Sequence, residues 1–497
     1  MFSSNQRKFA QTISEIINCN PFLPDRIQLE RKALGSEFVE ENANWNLHPS
    51  QHQATVNLER MRVLAEGILT SCRDADAQHF NDKNIPLYLD LVRFVLFNAH
   101  SDAFTLVVEE HGKGSNALYK RFRKDWLNYC DPERFPAAVT EQVPHIFSLL
   151  FQIRRAFNNI FRHLIGSSDA IIALRANVWR SIFTHDVRRY YDSMHNAMAD
   201  FPTLITGPTG SGKELVARAI GLSGYVPFDP ETGKWATPLD GLFISLNLSA
   251  LSPTLIESEL FGHAKGAFTG ACEDRTGWLQ VCPSHGAVFL DEIGELDPGI
   301  QVKLLRVVQD RIFQRLGDTQ PRQFQGRIIA ATNRDLMVEI REERFRLDFY
   351  YRLCADQVTT PSLAERCKTD IEELPHLVAH LLARIIHDAD HKKLTQECCE
   401  WIQQHLGANY AWPGNVRELD QCIRSWLIRQ DYRPFSLESA GDDSALANAL
   451  HDAELSADEL TTLYCQVKYA QSGSYVKTAE QLSLDRRTVK ARVSPEG

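Results

Sequence analysis

An α/β core on a parallel, helix-covered sheet, with an all-α region before it and helical units after it, is the fold class this sequence predicts. Three observations carry that reading. Short β-branched runs at 203–206, 242–246, 287–290 and 327–331 end in Gly, Asn or acidic residues and alternate with amphipathic segments. Residues 1–155 are poor in glycine and lack alternating apolar and polar runs, so they read as helical throughout. From 357 to about 430 the pattern is helical again.

The 497 residues suggest about three domains. A content of 43% hydrophobic and 24% charged residues describes a globular chain with ample material for a core. The formal charge of −10 excludes a surface that is basic throughout, so any contact with DNA must be local. The first residues, MFSSNQRKFAQTISEII, lack the apolar stretch of a signal peptide. Two other stretches are apolar enough to test as membrane spans. The one at 85–97 is too short and holds Asp90 and Arg93; the one at 146–165 carries Arg154, Arg155 and Arg162 and repeats its large residues at helical spacing. Both read as buried or paired amphipathic helices, and the expected location is cytoplasmic. The 11 cysteines are scattered without zinc spacing, as reduced structural thiols would be.

The expected organisation is a helical regulatory or sensor region of unknown ligand at 1–155, the α/β core at 160–356 and a helical extension at 357–430. A linker rich in Pro, Ser, Gly and Asp at 431–452 leads to a small helical unit at 453–497.

The chemistry concentrates where the run 203–206 meets Gly207-Pro208-Thr209-Gly210-Ser211-Gly212-Lys213. Glycines let consecutive backbone N–H groups converge on phosphate oxygens, and the helix that follows points its positive end at them. Lys213 would reach the outer phosphates of ATP. Glu214 stands where the general pattern has a Ser or Thr ligand for Mg2+, so the metal must rely on a carboxylate elsewhere. Val288-Phe289-Leu290-Asp291-Glu292 supplies two at a strand end: Asp291 to hold the metal through water, Glu292 to orient the attacking water.

Between these motifs lies ESELFGH (257–263), then Gly266-Ala267-Phe268-Thr269-Gly270-Ala271, a glycine-hinged loop expected to expose one aromatic to a partner. GAFTGA resembles the signature of the sigma-54-dependent transcriptional activators, also called bacterial enhancer-binding proteins, of the NtrC-like AAA+ class. GKELVARAI, ESELFGH, FLDEIGE, KLLRVVQD, IIAATNRDL, FYYRL and WPGNVREL follow in that family's order across about 160–430. The resemblance accounts for Glu214, which the family commonly carries after the lysine.

What it implies, residue by residue, is this. Residues 266–271, led by Phe268 and Thr269, grip sigma-54. Asn247 pairs with Glu292 until the nucleotide state changes, and Asn333 senses the γ-phosphate. Arg346 and Arg352 reach the nucleotide of a neighbouring subunit, and Arg417 in the helical lid reaches that of its own. An arginine supplied across an interface is worth about 10³–10⁵ in rate, which ties hydrolysis of ATP to a homo-oligomer, in this family a hexamer. Ala364 departs from the usual arginine. The implied function is ATP-driven remodelling of the sigma-54 RNA polymerase holoenzyme to open promoter DNA. A vestigial ATPase on a DNA-bound regulator, or a remodeller of another substrate, fits the complete set of motifs less well.

Residues 478–493 read as helix, turn, helix, with Ala479, Leu482, Leu484 and Val489 inward and Arg486, Arg487, Thr488, Lys490 and Arg492 outward. This is similar to the Fis-type helix-turn-helix that ends most family members and would bind double-stranded enhancer DNA, with each short helix adding to a multivalent attachment. The family's usual sensor domains are α/β or β-rich, unlike residues 1–155. The segment 146–165 is expected to relay a signal through helix pairing between subunits. Lys120, Arg121, Arg123 and Lys124 read as a solvated helix face.

Overall fold

A computed structural model describes residues 2–40, 56–74, 84–386, 391–434 and 456–493. The chain forms two compact units, Met1–Arg424 and Ser425–Gly497. From residue 435 to its end, the predicted linker lies outside the described residues.

The amino-terminal region is helical where described. Helix α1, Ser4–Asn18, opens on a capping box: Gln6 N donates to Ser3 Oγ (3.2 Å) and Ser3 N to the Gln6 side chain (2.8 Å). Helices α2 (Ile85–Ala99), α3 (Ser115–Tyr129) and α4 (Val143–His163) surround an aromatic core of Tyr88, Phe104, Phe122, Trp126, Phe147 and Phe151. Asp90 is buried in α2, where Ser14 Oγ (2.6 Å), Arg93 (3.1 Å) and Arg188 (3.1 Å) donate to it. Among the described residues no single helix is long and apolar enough to cross a membrane; α2 passes that test only jointly with Ser101–Glu109, across a 57° bend.

Helix α5, Asp169–Phe183, leads to a five-stranded sheet: β1 (Thr203–Thr206), β2 (Phe243–Asn247), β3 (Ala287–Asp291), β4 (Arg327–Thr332) and β5 (Asp356–Thr359). All pairings are parallel, in the order β5-β1-β4-β3-β2. Side chains alternate across this sheet, as a period of two requires. Ile205, Phe289, Ile329, Ala331 and Val358 face a core shared with helix α6 (Lys213–Gly221), α5 and part of α4. Leu204, Val288, Leu290, Ile328 and Ala330 face the opposite core, shared with α7 (Pro253–Phe261), α8 (Pro298–Asp310) and α9 (Leu347–Leu353). The parallel α/β core expected from the sequence is therefore present. Helices Leu363–Thr369, α10 (Glu373–Ile385), His391–His405 and α11 (Asn415–Arg429) follow it.

One expectation is corrected here. The apolar stripe of α4 is not left over for pairing between subunits. Ile146, Leu150 and Phe151 sit in the amino-terminal core and Leu149, Ile160 and Phe161 in the core under the sheet. Amphipathic spacing fixes which face is apolar, not which partner covers it.

The second unit contains α12 (Ala457–Ser472), α13 (Tyr475–Leu482) and α14 (Arg486–Val493), closed around Cys465, Ala479 and Val489 with Leu482, Leu484 and Val493 packed beside them. Ser483 turns the chain at φ +52°, and Leu484 N donates to Ala479 O (3.0 Å).

Candidate functional site

The glycine loop runs from the end of β1 into α6 with Gly207 at φ +144°, Gly210 at +76° and Gly212 at +97°. Two of these glycines are needed for close approach as well as for backbone angle. A Cβ at Gly207 would sit 2.7 Å from Thr360 O and overlap the Thr360 hydroxyl; one at Gly210 would overlap Gly414 O and sit 3.0 Å from Arg417 Cβ. Ser211 Oγ donates to Pro208 O (2.7 Å) and lies 2.7 Å from Thr360 Oγ1. Lys213 is buried, its Nζ donating to Gly207 O (3.1 Å) and Pro208 O (3.3 Å). Burial lowers its pKa, while Glu292 and Asp291 act in the opposite sense. Glu214 turns away to pair with Arg218 (2.8 Å), one helical turn on.

Parallel pairing places the acids beside this loop. Asp291 ends β3 next to Asn247 of β2, and β4 lies between β3 and β1. Burial, then the neighbouring Glu292 carboxylate, raise the Asp291 pKa, with Lys213 opposing. Glu292 follows at φ +57°, a left-handed conformation that costs a non-glycine residue about 1–3 kcal/mol and is concentrated at functional sites. Its Oε2 accepts from Asn333 N (3.3 Å), just past the end of β4, and Asn333 Nδ2 donates to Thr209 Oγ1 (2.8 Å). Asn333 thus joins the carboxylate to the glycine loop. Asn247 does not complete the expected pair: its Oδ1 accepts from Ser249 N (3.1 Å) and Ser249 Oγ (2.8 Å), capping the turn after β2.

The lid closes on the loop through a residue the sequence reading passed over. Asn415 Nδ2 donates to Thr209 O (2.9 Å), its Oδ1 accepts from Leu363 N (2.7 Å), and Val416 N donates to Gly210 O (3.1 Å). Thr360 is the second omission. The signal for Asn415 was its place after Pro413-Gly414, since Asn tolerates the φ of +54° found there; Thr360 carries no such signal. Arg417 is exposed, close enough to Lys213 for its charge to act on it. Arg346 caps α9 and is held by Asp348 of its own chain (2.7 and 3.0 Å); Arg352, on the same helix, is exposed.

Residues 266–271 form the tip of a hairpin whose stems, Gly262–His263 and Arg275–Thr276, pair antiparallel. Ala271 N donates to Phe268 O (3.0 Å) and Gly266 N to Ala271 O (2.8 Å), so the tip is tightly folded. Thr269 and Gly270 are exposed. Phe268, expected to be exposed, is half-buried, with its ring edge-on to His263 at 5.0 Å. In the second unit Arg486, Arg487, Thr488 and Lys490 are exposed on α14. Arg492 is not: it folds back on α12, donating to Asp458 O (2.9 Å) and Thr462 Oγ1 (2.9 Å) and pairing with the Asp458 carboxylate.

A glycine loop at one strand end, two acids at another and a polar residue at a third define a P-loop nucleotide site under a helical lid. The comparisons agree in kind. The sigma-54 interaction domain family matches residues 184–359 and the AAA+ ATPase lid domain family residues 368–439. Luminescence regulatory protein LuxO of Vibrio campbellii is 32% identical over 343 residues, 68% of this chain and 68% of LuxO. Transcriptional regulatory protein ZraR of Escherichia coli O157:H7 is 37% identical over 303 residues, 60% of this chain and 64% of ZraR. The Nif-specific regulatory protein of Azotobacter vinelandii is 39% identical over 251 residues, 50% of this chain and 44% of that relative. The chain belongs to the NtrC-like family of sigma-54-dependent activators with an AAA+ core. It spans less than two thirds of the length of the ZraR and Nif regulators it matches.

Proposed function

We propose that this protein hydrolyses ATP in a ring, a hexamer by family, and uses the cycle to remodel the sigma-54 RNA polymerase holoenzyme while bound to enhancer DNA. The observation that carries the reading is the bridge Asn333 makes between Thr209 of the glycine loop and Glu292. That bridge ties the loop that would hold phosphate to the carboxylate that would activate water. The donor set fits ATP with Mg2+: a buried amine over a glycine loop, and two carboxylates at the end of β3. Residues 207–213 would hold the phosphates, Asp291 the metal through water, and Arg417 the nucleotide from the lid. Magnesium supplies charge neutralisation at the phosphate oxygens. Glu292 orients and deprotonates water. Asn333 reports the γ-phosphate, and Asn247, beside Asp291 in the sheet, competes for Glu292 in another state of the cycle.

Arg346 must leave Asp348 to serve a neighbouring site, and Arg352 shares its helix. Residues 266–271 are the grip on sigma-54, Phe268 swinging off His263 to engage. The second unit serves as a Fis-type helix-turn-helix, with Arg486, Arg487, Thr488 and Lys490 toward DNA. A cytoplasmic setting follows from these partners, and residues 1–155 serve as a regulatory region.

The test is binding of the full chain to sigma-54 with ADP and aluminium fluoride, beside ATP turnover. The wild type should form the complex only with the analogue, Phe268→Ala should not form it yet keep turnover, and Glu292→Gln should bind nucleotide without turnover. A Phe268→Ala protein that still captured sigma-54 would overturn the role of the loop, and undiminished turnover in Glu292→Gln that of the acid.

A further inference from the structure

The far end of the P-loop helix is held by the amino-terminal region. Helix α6 is nine residues long, about 13 Å at 1.5 Å per residue. Its amino end carries Lys213 and the glycine loop, and its last carbonyls need partners that the helix cannot provide. The turn that follows supplies them, Leu222 N donating to Arg218 O (3.0 Å) and Ser223 N to Ile220 O (3.1 Å), and helix α4 holds that turn from one face, at positions 148, 152, 155 and 159, a spacing of four, three and four. Asn159 Nδ2 donates to Leu222 O (3.1 Å) and to Ser223 Oγ (3.1 Å), which in turn donates to Ala219 O (2.6 Å) inside the last turn of α6. Gln152 Nε2 donates to Ser223 O (2.9 Å) and to the buried Tyr190 hydroxyl (2.6 Å). Arg155 donates to Gly224 O, and Ser148 Oγ accepts from Phe228 N (2.9 Å).

Arg155 is the unusual member. The residue is 4% exposed, and among the described residues its guanidinium lies over the Phe151 ring (5.7 Å) with no carboxylate partner and no acceptor for Nε or Nη1. Burial pushes its pKa down to about 10. A desolvated cation is costly to keep in a core, and here it lies at the negative end of the helix that would bind phosphate, where a cation complements the dipole.

A second attachment continues the first. After Gly224 the chain forms a short hairpin, Phe228–Asp229 paired with Lys234–Trp235. Its rings enter the amino-terminal aromatic core. Trp235 stacks on Phe151 (4.4 Å) and Phe147 (5.8 Å) of α4 and donates to Ser115 Oγ (2.8 Å) of α3, and Phe228 meets Tyr119 (5.0 Å). The 222–235 segment is therefore a handle on α6, gripped chiefly by helices that precede the sheet, with His285 of the core also bonded to the Tyr225 backbone.

We propose that Arg155, Asn159 and Gln152 are positioning residues for the nucleotide site, acting through the carboxyl end of α6, and that the amino-terminal region sets nucleotide affinity by way of α4. The inference rests on the nucleotide-binding reading of the glycine loop. Helix α6 transmits as a rod: a shift at its carboxyl end moves Lys213 and the loop, while Asp291, Glu292 and Asn333 stay on the sheet.

The test uses the full chain with Arg155→Met, Arg155→Lys and Asn159→Ala, reading affinity for a fluorescent ADP analogue, KM and kcat for ATP, and Tm. Arg155→Met and Asn159→Ala should weaken nucleotide binding and raise KM about tenfold, ~1.4 kcal/mol. Their kcat at saturation should stay within about twofold, because the sheet-borne groups are untouched. Arg155→Lys should recover most of the affinity by keeping a cationic donor at Gly224 O. Wild-type affinity in a folded Arg155→Met or Asn159→Ala protein would overturn the proposal, as would a kcat loss equal to the KM change. If Arg155→Met does not fold, Asn159→Ala, at the edge of the cluster, decides it. Wild-type protein that bound the analogue without turnover would contradict hydrolysis and leave this inference to the affinity series; wild-type protein that did not bind it would remove the nucleotide reading and this inference with it.

Discussion

Replacing Gly210 with alanine should separate the lid from the glycine loop. At φ +76° an alanine costs about 1–2 kcal/mol in backbone energy alone. The added Cβ would overlap Gly414 O, about 1 Å short of the ~3.5 Å that carbon contacts need. Backbone cannot swing aside as a side-chain tip can, so the lid must retreat by a similar amount. That retreat stretches Val416 N to Gly210 O from 3.1 Å and Asn415 Nδ2 to Thr209 O from 2.9 Å beyond hydrogen-bonding distance. Two such bonds are worth about 0.5–1.5 kcal/mol each. Losing both bonds disfavours the closed lid by about 1–3 kcal/mol, the backbone cost weighing on open and closed states alike, and nucleotide held under the lid should bind roughly tenfold more weakly. The assay is titration with a fluorescent ADP analogue, beside thermal melting. Gly241→Ala is the control, since its φ of +82° carries the backbone cost with nothing within 4 Å to strike. Asn415→Ala should add less than its separate effect to Gly210→Ala, because both act on the same contact. A folded Gly210→Ala protein with affinity within twofold of wild type, or fully additive losses in the double variant, would refute the reasoning.

The remaining expectations concern charge. Arg487→Ala and Lys490→Ala should each weaken binding to enhancer DNA and lower the salt slope of the affinity by about 1, whereas Arg492→Ala should leave that slope unchanged and lower the Tm of the second unit, because its side chain is spent on Asp458 and Thr462. His163 is held at a pKa of about 4 by burial and by the cations of Arg162 and Arg218. A histidine depressed in this way contributes stability above its unfolded value near 6.5 and loses it as the pH falls toward 4. His163→Gln should therefore lose less Tm than wild type between those two pH values, and equal losses would contradict the assignment.

Much of the site was legible because its chemistry is local in sequence. The glycine loop, the acids after an apolar strand and the 266–271 tip each announce themselves within a few residues, and parallel strand order brings them together. What escaped depends on contacts across long sequence separations. Thr360 and Asn415 clasp the loop from about 150 and 200 residues away, Thr360 with nothing nearby to mark it and Asn415 marked only by the Pro413-Gly414 before it. Arg492 lies on the outward arc of α14 by helical spacing, but a long side chain can reach back to an acid on another helix. Phe268 followed its motif, yet the adjacent His263 ring offers a surface that no pattern of glycines encodes. Asn247 illustrates a competition: its amide can cap its own turn or reach toward the carboxylate, and local geometry favours the turn here.

The hairpin at 228–235 has a practical consequence for dissecting the protein. Inhibition by an amino-terminal region is customarily tested by cutting that region away. Here the cut would not fall on a seam. Val226, Phe228, Leu239 and Leu242 come after the glycine loop in the chain but belong to the same apolar cluster as Leu91, Phe122 and Phe147. Removing residues 1–142 would leave those side chains and Trp235 facing water as a new sticky surface. A truncated protein that precipitated, or assembled in odd numbers, would be reporting that wound rather than relief from repression. Point changes along α4 leave the cluster closed and ask the regulatory question cleanly.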